Sequence, residues 1–360
     1  MPEASAKSKG YLIAAALTGA WREFPPSPRL SAEELEGIAP LLLGSGAGAL
    51  AWNSLRTSHL RDSPIAELFR EAYQFYSLQS SVHELQIQEV FKLLRSGGVE
   101  PLLIKGWAVA QLYPDKGLRP SGDIDICVRA DQRTKAEALL GKPEAGHFLV
   151  DLIHEEITEF DRNGLDQYFD RSQLVRLGNS EIRVPCAEDH LRLLCIHFLK
   201  HGGCLPRWLC DIAAAVESSG PEFDWPLCLS SHRREGDWIG CAISLAHRLL
   251  EADLNAIPKL NTQVPKWIVP SVVSRWETLE SMGLTHQRYL ATFQTHVRQR
   301  HRVLKAIYDR WPNPLEATIR LKAPLNALPR LPFQLANCWL RATEVLKNFR
   351  ASNSGQQNPR

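Results

Sequence analysis

The chain lacks any apolar run long enough to cross a membrane. A helix that spans a bilayer needs about 20 consecutive apolar residues, and no such stretch occurs in the 360 residues. Residues 11–20 form an apolar run after two lysines and faintly mimic a secretory signal. The run is short and no clear cleavage site follows it, so we interpret it as an N-terminal packing helix. No membrane association is predicted.

Net charge is also nearly absent, at a formal value of +2 at pH 7. This value argues against a strongly electrostatic nucleic-acid binder, although charge can still be clustered locally. One such cluster is a basic run in the C-terminal third, formed by Arg298, Arg300, Arg302, Lys305 and Arg310. We interpret it as a solvated helix face, with an anionic partner such as RNA or a carrier as the alternative. Aromatic residues are thinly interleaved there, so base stacking is not favoured.

The eight cysteines do not show the dense, repeated spacing of a disulfide framework. Their distribution favours a reducing compartment, and we predict a cytoplasmic protein. One group requires a check for metal binding, because His197 and His201 share a helix face and Cys204 and Cys210 follow them. The cysteine spacing is unlike that of a usual zinc knuckle. Packing inside a helical domain, or a position at the edge of the substrate cleft, is the preferred interpretation of the two histidines.

Composition is that of an ordinary globular protein, with 44% apolar and 23% charged residues, and the length allows two or three compact units. The patterns divide the chain into an N-terminal helical region at 1–97, an α/β core at 98–186, a C-terminal helical domain at 187–350 and a disordered tail at 351–360. No internal repeat is evident. The predicted fold class is therefore α/β (α+β), with a small mixed sheet between two helical regions.

Helix signals dominate the first region. Ser31 precedes Glu33 and Glu34, which is an N-cap followed by acids in the first turn. An amphipathic stripe follows, made of Leu85, Ile87, Val90, Phe91 and Leu94. It stops at the glycine pair 97–98, which we take as the boundary of the core.

The core is predicted to alternate strands and helices. The expected strands are 100–104, 123–129 and 147–157, the expected helices are 106–113 and 132–140, and 174–177 and 181–184 are expected to form a hairpin. After Pro185 the pattern is helical again.

The most informative segment is 119–128, in which Asp123 and Asp125 alternate with three apolar residues. Side chains of a strand alternate between its faces, so the two carboxylates share one face and the apolar residues bury the other. Two adjacent acids repel each other unless a positive group lies between them. Mg²⁺ can fill that role, since it prefers oxygen ligands and accepts substrate phosphates as further ligands. The alternative is an edge strand with a solvated acidic face.

A candidate phosphate site precedes this strand. The apolar run 102–104 ends at Lys105 and Gly106 and passes into a helical pattern. Glycine at such a turn lets a phosphate approach the backbone, and the helix N-terminus adds N–H groups and a partial positive charge. Further contacts could come from Arg119, Ser121 and Gly122. The alternatives are an architectural turn with a solvated Lys105, and an ion pair between Arg119 and Asp115.

The order of these motifs resembles the nucleotidyltransferase superfamily of DNA polymerase beta type, and more closely its bacterial family labelled uncharacterised nucleotidyltransferase. The shared motifs are Ile104-Lys105-Gly106, Leu112-Tyr113-Pro114-Asp115 and Arg-Pro-x-x-Asp-Ile-Asp within 119–128. Looser matches lie at 150–152, 188–191, 197–201 and 207–213, so the resemblance covers roughly residues 30–215. One departure is an extra residue before His154, which puts this histidine on the strand face opposite Asp151 and leaves its role open.

The resemblance implies Mg²⁺-dependent transfer of a nucleoside monophosphate from an NTP co-substrate to an acceptor, which stays open among small molecules, peptides and protein side chains. Two Mg²⁺ ions, usually held by three carboxylates, can clamp the attacking and leaving oxygens. Asp123 and Asp125 supply two carboxylates. Asp151 is the predicted third, since it follows an apolar run that suits a neighbouring strand. Glu155 and Glu156 are its rivals.

Two other functions stay open. The fold could be a non-catalytic binding module or antitoxin-type partner that retains the motif, or a helical scaffold with structural acids. The aspartates together with Lys-Gly and Arg-Pro favour the enzyme, since a pure scaffold gains nothing from clustered acids. Asp211 shares a helix with Trp208, and it either orients a core group or reaches the active site.

Overall fold

The computed structural model describes residues 8–153, 164–229, 233–257, 263–279 and 311–354. A three-stranded sheet and a two-stranded hairpin are surrounded by helices. The predicted class, α/β with helical flanks, is confirmed. Across these described ranges no helix combines the length and the apolar character that a bilayer span requires.

From residue 8 onwards, four helices precede the sheet: α1 Lys9–Leu17, α2 Ala32–Gly44, α3 Gly48–Leu55 and α4 Pro64–Ser96. The predicted cap of α2 is confirmed as a reciprocal capping box. The Glu34 N–H donates to Ser31 Oγ at 3.1 Å, and the Ser31 N–H donates to Glu34 Oε2 at 2.8 Å. These bonds satisfy backbone donors that a helix start would otherwise leave unpaired.

The apolar stripe predicted on α4 is buried at Ile87, Val90, Phe91 and Leu94 but not at Leu85, whose side chain is 63% exposed. The four buried positions follow the i, i+3, i+4, i+7 spacing of one helix face, while a residue two positions before Ile87 turns away from that face. Helix α4 ends at Ser96, and Gly98 in the next turn takes a φ of +73°. The predicted boundary is therefore a helix end.

The sheet region contains β1 Leu102–Leu103, α5 Trp107–Ala110, β2 Ile124–Cys127, α6 Arg133–Leu140, β3 Val150–Leu152, α7 Gly164–Arg171, β4 Gln173–Leu177 and β5 Ser180–Val184. The strand order is β1-β2-β3, with β1 antiparallel and β3 parallel to β2. The hairpin β4–β5 agrees with the prediction. The elements before it are shorter than predicted. Helix α5 is a single turn and ends at Ala110, short of the predicted end at residue 113.

The two faces of β2 meet different neighbours. Ile124 and Ile126 belong to an apolar cluster with Val90 of α4 and Ala136 of α6. Cys127 emerges on the opposite face, in a cluster with Leu102 of β1, Tyr168 and Phe169 of α7, and Ile104 and Ile153, which directly follow β1 and β3. The predicted burial of the isoleucine face is thus confirmed. The face that carries the aspartates is covered at its Cys127 end.

The C-terminal helices are α8 Ala187–Lys200, α9 Pro206–Glu217, α10 Trp225–Leu229, α11 Arg233–Leu250, α12 Ile268–Val273, α13 Pro314–Arg320 and α14 Leu331–Ser354. Buried apolar residues of α8–α13 share one cluster with the N-terminal helices, for example Leu209 and Ile243 with Ile13 and Leu42. Helix α14 extends four residues into the predicted tail, and the basic run 298–310 lies outside the described residues. The two helical regions therefore pack together around a common core.

Candidate active site

Three candidate carboxylates lie on neighbouring strands. Asp125 on β2 and Asp151 on β3 are paired partners in the parallel ladder, so their side chains leave the same face of the sheet. Asp123 stands two residues before Asp125, just ahead of the first residue of β2. The Asp125 side chain is buried, whereas Asp123 and Asp151 are exposed. The expected adjacency of Asp151 to the Asp-Ile-Asp strand is observed.

The Asp125 and Asp151 carboxylates share a face of the sheet, but with Asp123 they do not form a tight cluster around one point. Within the described ranges, no group of three or more His, Cys, Asp or Glu side chains is close enough to hold a metal ion. Asp125 Oδ1 instead lies 3.6 Å from the Lys105 ammonium, and both side chains are about one-tenth exposed. The Lys105 ammonium also lies 3.4 Å from His197 Nδ1. The rival acids and the departing histidine, namely Glu155, Glu156 and His154, lie outside the described residues.

The Lys-Gly turn has a backbone that requires glycine. Gly106 adopts φ +60° and ψ −114°, a conformation that L-residues rarely take. A Cβ at this position would also lie 2.6 Å from Ser121 Oγ. Because α5 is one turn long, its partial charge is smaller than that of the predicted helix 106–113. The alternative interpretation, in which Lys105 is solvated, is wrong. The Lys105 ammonium is paired with the Asp125 carboxylate.

The turn before β2 is open to solvent at Gly122 and Asp123. The Ser121 hydroxyl donates to the carbonyl of Asp123 at 3.3 Å. Gly122 is exposed, and no atom lies within 4 Å of the position that its Cβ would occupy. The backbone at Gly122 is thus accessible to a ligand.

Arg119 is buried in an ion pair with Asp211, with 2.9 Å between Nη2 and Oδ2. The Tyr113 hydroxyl donates to Asp211 Oδ1 at 2.7 Å. Burial works to lower the pKa of Arg119, but the charge and hydrogen bonds of Asp211 raise it above the ordinary value. The alternative pairing of Arg119 with Asp115 is wrong, since Asp115 accepts hydrogen bonds from the Tyr73 hydroxyl and a backbone N–H.

Arg207 is a site residue to which the sequence pattern assigns no role. Its Nε is buried without a hydrogen-bond partner. Burial, and then repulsion from Arg119, lower the pKa of its guanidinium, while Asp211, Tyr76 and Asp123 oppose that change. A Cβ at Gly46, in the turn between α2 and α3, would collide with Arg207 Nη1. Only the fold brings this turn, α9 and the start of β2 together.

Histidines surround the site in two places. His197 packs edge-on against Trp208 and His201 packs against it in a tilted arrangement, at centroid distances of 4.4 Å and 5.4 Å. Burial raises the pKa of the neighbouring Cys204 thiol to about 11, and Cys204 and Cys210 are both free thiols. These contacts agree with the packing interpretation of the two histidines.

On the other side of the site, His83 of α4 is buried and its Nε2 has no hydrogen-bond partner. Burial lowers the pKa of His83, and the charge of Asp123 opposes this effect. The sequence gives no sign that His83 lies near Asp123, because a single histidine in a helical pattern indicates neither burial nor a neighbour.

A small mixed sheet with an Asp-x-Asp strand beside a Lys-Gly turn, set among helices, is the arrangement expected of a nucleotidyltransferase. A family model described as uncharacterised nucleotidyltransferase matches residues 44–147 and 142–250, which together span more than half of the chain. The chain therefore belongs to this family, as the resemblance predicts. Neither the curated proteins nor the solved structures contain a match to the chain.

Proposed function

We propose that this protein is a Mg²⁺-dependent enzyme that transfers a nucleoside monophosphate from an NTP to an acceptor and releases pyrophosphate. The main supporting observation is the pairing of Asp125 with Asp151 across two parallel strands, with Asp123 one residue ahead of the start of β2. Membership of a nucleotidyltransferase family supports nucleotidyl transfer in general terms. The acceptor class is left open among small molecules, peptides and protein side chains.

The donor set suits Mg²⁺. All three candidate ligands, Asp123, Asp125 and Asp151, are carboxylates, the hard oxygen donors that this ion prefers. When bound, Mg²⁺ would supply positive charge to phosphoryl oxygens whose negative charge grows during transfer. We propose two such ions, held by these three side chains.

The chain's own residues would position the triphosphate. Lys105 already balances the charge of Asp125, and its ammonium would be available to a phosphate oxygen when that carboxylate takes another partner. The exposed backbone of Gly122 offers an N–H group, and Gly106 lets the Lys105 turn pack closely against Ser121 in the same loop. Ser121 keeps the turn in shape through its bond to the Asp123 carbonyl.

The test is transfer of label to an acceptor. The purified protein is incubated with each α-labelled NTP, Mg²⁺ and cell extract, and labelled products are identified. Asp123→Asn removes charge with little change of shape, so we expect at least a 100-fold loss of transfer while the fold is retained. Asp131→Asn, at an exposed acid on a short 3₁₀ turn, is the matched control and should keep full activity.

The outcomes separate the two candidate functions. Full activity in Asp123→Asn would remove the aspartate strand from the proposed site. Binding of an NTP without any labelled product, in every extract, would favour the non-catalytic binding or antitoxin-type module instead.

A further inference from the structure

We propose that α4 is a dimerisation helix, and that its partner is the α4 helix of a second copy of this chain in antiparallel orientation. The proposal concerns the exposed face of α4, opposite the face that packs on the protein. It does not rest on the proposed function, because no candidate carboxylate or phosphate contact belongs to that face.

A second apolar stripe runs along α4 in addition to the buried one. Its five members are between 45% and 73% exposed: Leu68, Phe75, Leu78, Val82 and Leu85. An α-helix turns by about 100° per residue, which puts these residues on the far side of α4 from the buried Phe69, Ile87 and Leu94. A surface helix of a single domain normally has one apolar face, so a second apolar face indicates a partner.

The exposed stripe has the spacing of a coiled-coil seam. Positions 68, 75 and 82 are seven residues apart, and positions 71, 78 and 85 repeat the same interval three residues later. All of these positions are apolar except Glu71. Alternate steps of three and four residues are the pattern along which two helices pack side by side. The occupant that fits the stripe is therefore another helix with the same spacing.

The stripe is complementary to itself when two copies run antiparallel. A two-fold axis between residues 76 and 77 brings Leu68 opposite Leu85 of the second copy, and Phe75 opposite Leu78 of the second copy. A parallel pair would place the two Glu71 carboxylates side by side, which is unfavourable. The antiparallel pair keeps them about 16 Å apart along the helix axis.

The residues beside the seam favour a second copy over a membrane surface. Helices that lie on membranes carry Lys and Arg beside their apolar face, whereas residues 71–91 contain neither residue type. The positions that flank the centre of the seam are small or uncharged: Ala72, Gln74, Gln79, Ser81 and Gln86. Two copies can therefore approach each other there without bringing like charges together.

The area of the stripe matches a small dimer interface. Five large side chains at these exposures present on the order of 500 Å² of surface, near the upper end of what a monomer exposes in one patch. Two such stripes with their polar flanks would bury on the order of 1,200 Å², which reaches the lower limit of a specific, stable interface. We therefore expect a dimer with a Kd on the order of 1–10 µM.

Sedimentation equilibrium of the full-length protein tests the proposal. Leu78→Glu should weaken dimerisation at least about 100-fold, because it would bury one carboxylate from each copy at the centre of the seam. The circular dichroism of this variant should match the parent, since Leu78 is exposed in the single chain. Leu335→Glu changes an exposed leucine on α14 and should leave the dimer intact. A dimer of parent affinity in the folded Leu78→Glu protein would overturn the proposal, and so would a parent that is monomeric at about 100 µM, which would leave the stripe to a different protein partner.

A pair of charged variants tests the orientation. Leu68→Lys and Leu85→Glu should each weaken the dimer roughly tenfold, because each introduces a charge opposite a leucine. An equimolar mixture of the two variants should restore dimerisation, since an antiparallel pair brings the introduced ammonium of one chain against the introduced carboxylate of the other. A parallel pair would place each position opposite itself. Lack of rescue in the mixture would therefore overturn the antiparallel arrangement.

Discussion

His190 of α8 is buried close to the ion pair of Arg119 and Asp211, and its Nε2 has no hydrogen-bond partner. Burial lowers its pKa to about 4, against an ordinary value of 6.5, although Asp211 opposes the change. The imidazole is therefore neutral in the folded protein and takes a proton readily only after unfolding. This difference makes His190 a source of acid sensitivity.

The sign and size of the effect follow from linkage. Above about pH 6.5 both states are neutral at His190 and its contribution to stability is complete. As the pH falls from 6.5 towards 4, His190 binds a proton in the unfolded state but not in the folded state. The free energy of unfolding therefore decreases. Within this range, each pH unit lowers the free energy of unfolding by about 1.4 kcal/mol, so the loss by pH 5 is about 2 kcal/mol.

The assay is urea unfolding followed by tryptophan fluorescence at pH 7.5 and pH 5.0. The parent protein should lose about 2 kcal/mol more between these pH values than His190→Gln, whose amide does not titrate. His59→Gln, at an exposed histidine, is the control and should keep the parent's pH dependence. Equal losses in the parent and in His190→Gln would refute the reasoning.

Two further substitutions test the architecture of the site. Asp211→Asn leaves Arg119 without its buried carboxylate, and we expect a loss of about 3–5 kcal/mol in the free energy of unfolding, measured by urea titration. Gly106→Val forces a β-branched side chain into a backbone of φ +60° and towards Ser121 Oγ. It should cost at least about 1–3 kcal/mol of stability in the same assay, so it cannot weaken NTP binding without also weakening the fold.

Each of these has a matched control. Replacing both members of the buried pair, as Arg119→Met with Asp211→Leu, should cost less than Asp211→Asn alone, because no buried charge is left unpaired. A double variant that is less stable than the single one would contradict this account. For the glycine, Gly122→Ala meets open space and should be nearly neutral. A Gly106→Val protein as stable as Gly122→Ala would show that the turn tolerates a side chain.

The features that were predicted correctly from the sequence depend on residues that are close together in the chain. The alternation of acidic and apolar residues at 123–128 is a property of an extended strand, and the isoleucines are buried on one face as predicted. The cap at Ser31 needs only the three residues that follow it. Leu85 shows the limit of such patterns, because an apolar residue near a buried stripe can still face solvent. The motif order at the core was specific enough to predict the family.

Other features depend on residues far apart in the chain. Arg119 and Asp211 are 92 residues apart, and no local period indicates that they pair. The same holds for Arg207 beside Gly46, and for the shared core of the N- and C-terminal helices. The sequence by itself determined which residues form the aspartate strand and its buried face, since the side-chain period of a strand is local. Only the tertiary structure decided which charges meet in the interior, because burial and pairing depend on the path of the whole chain.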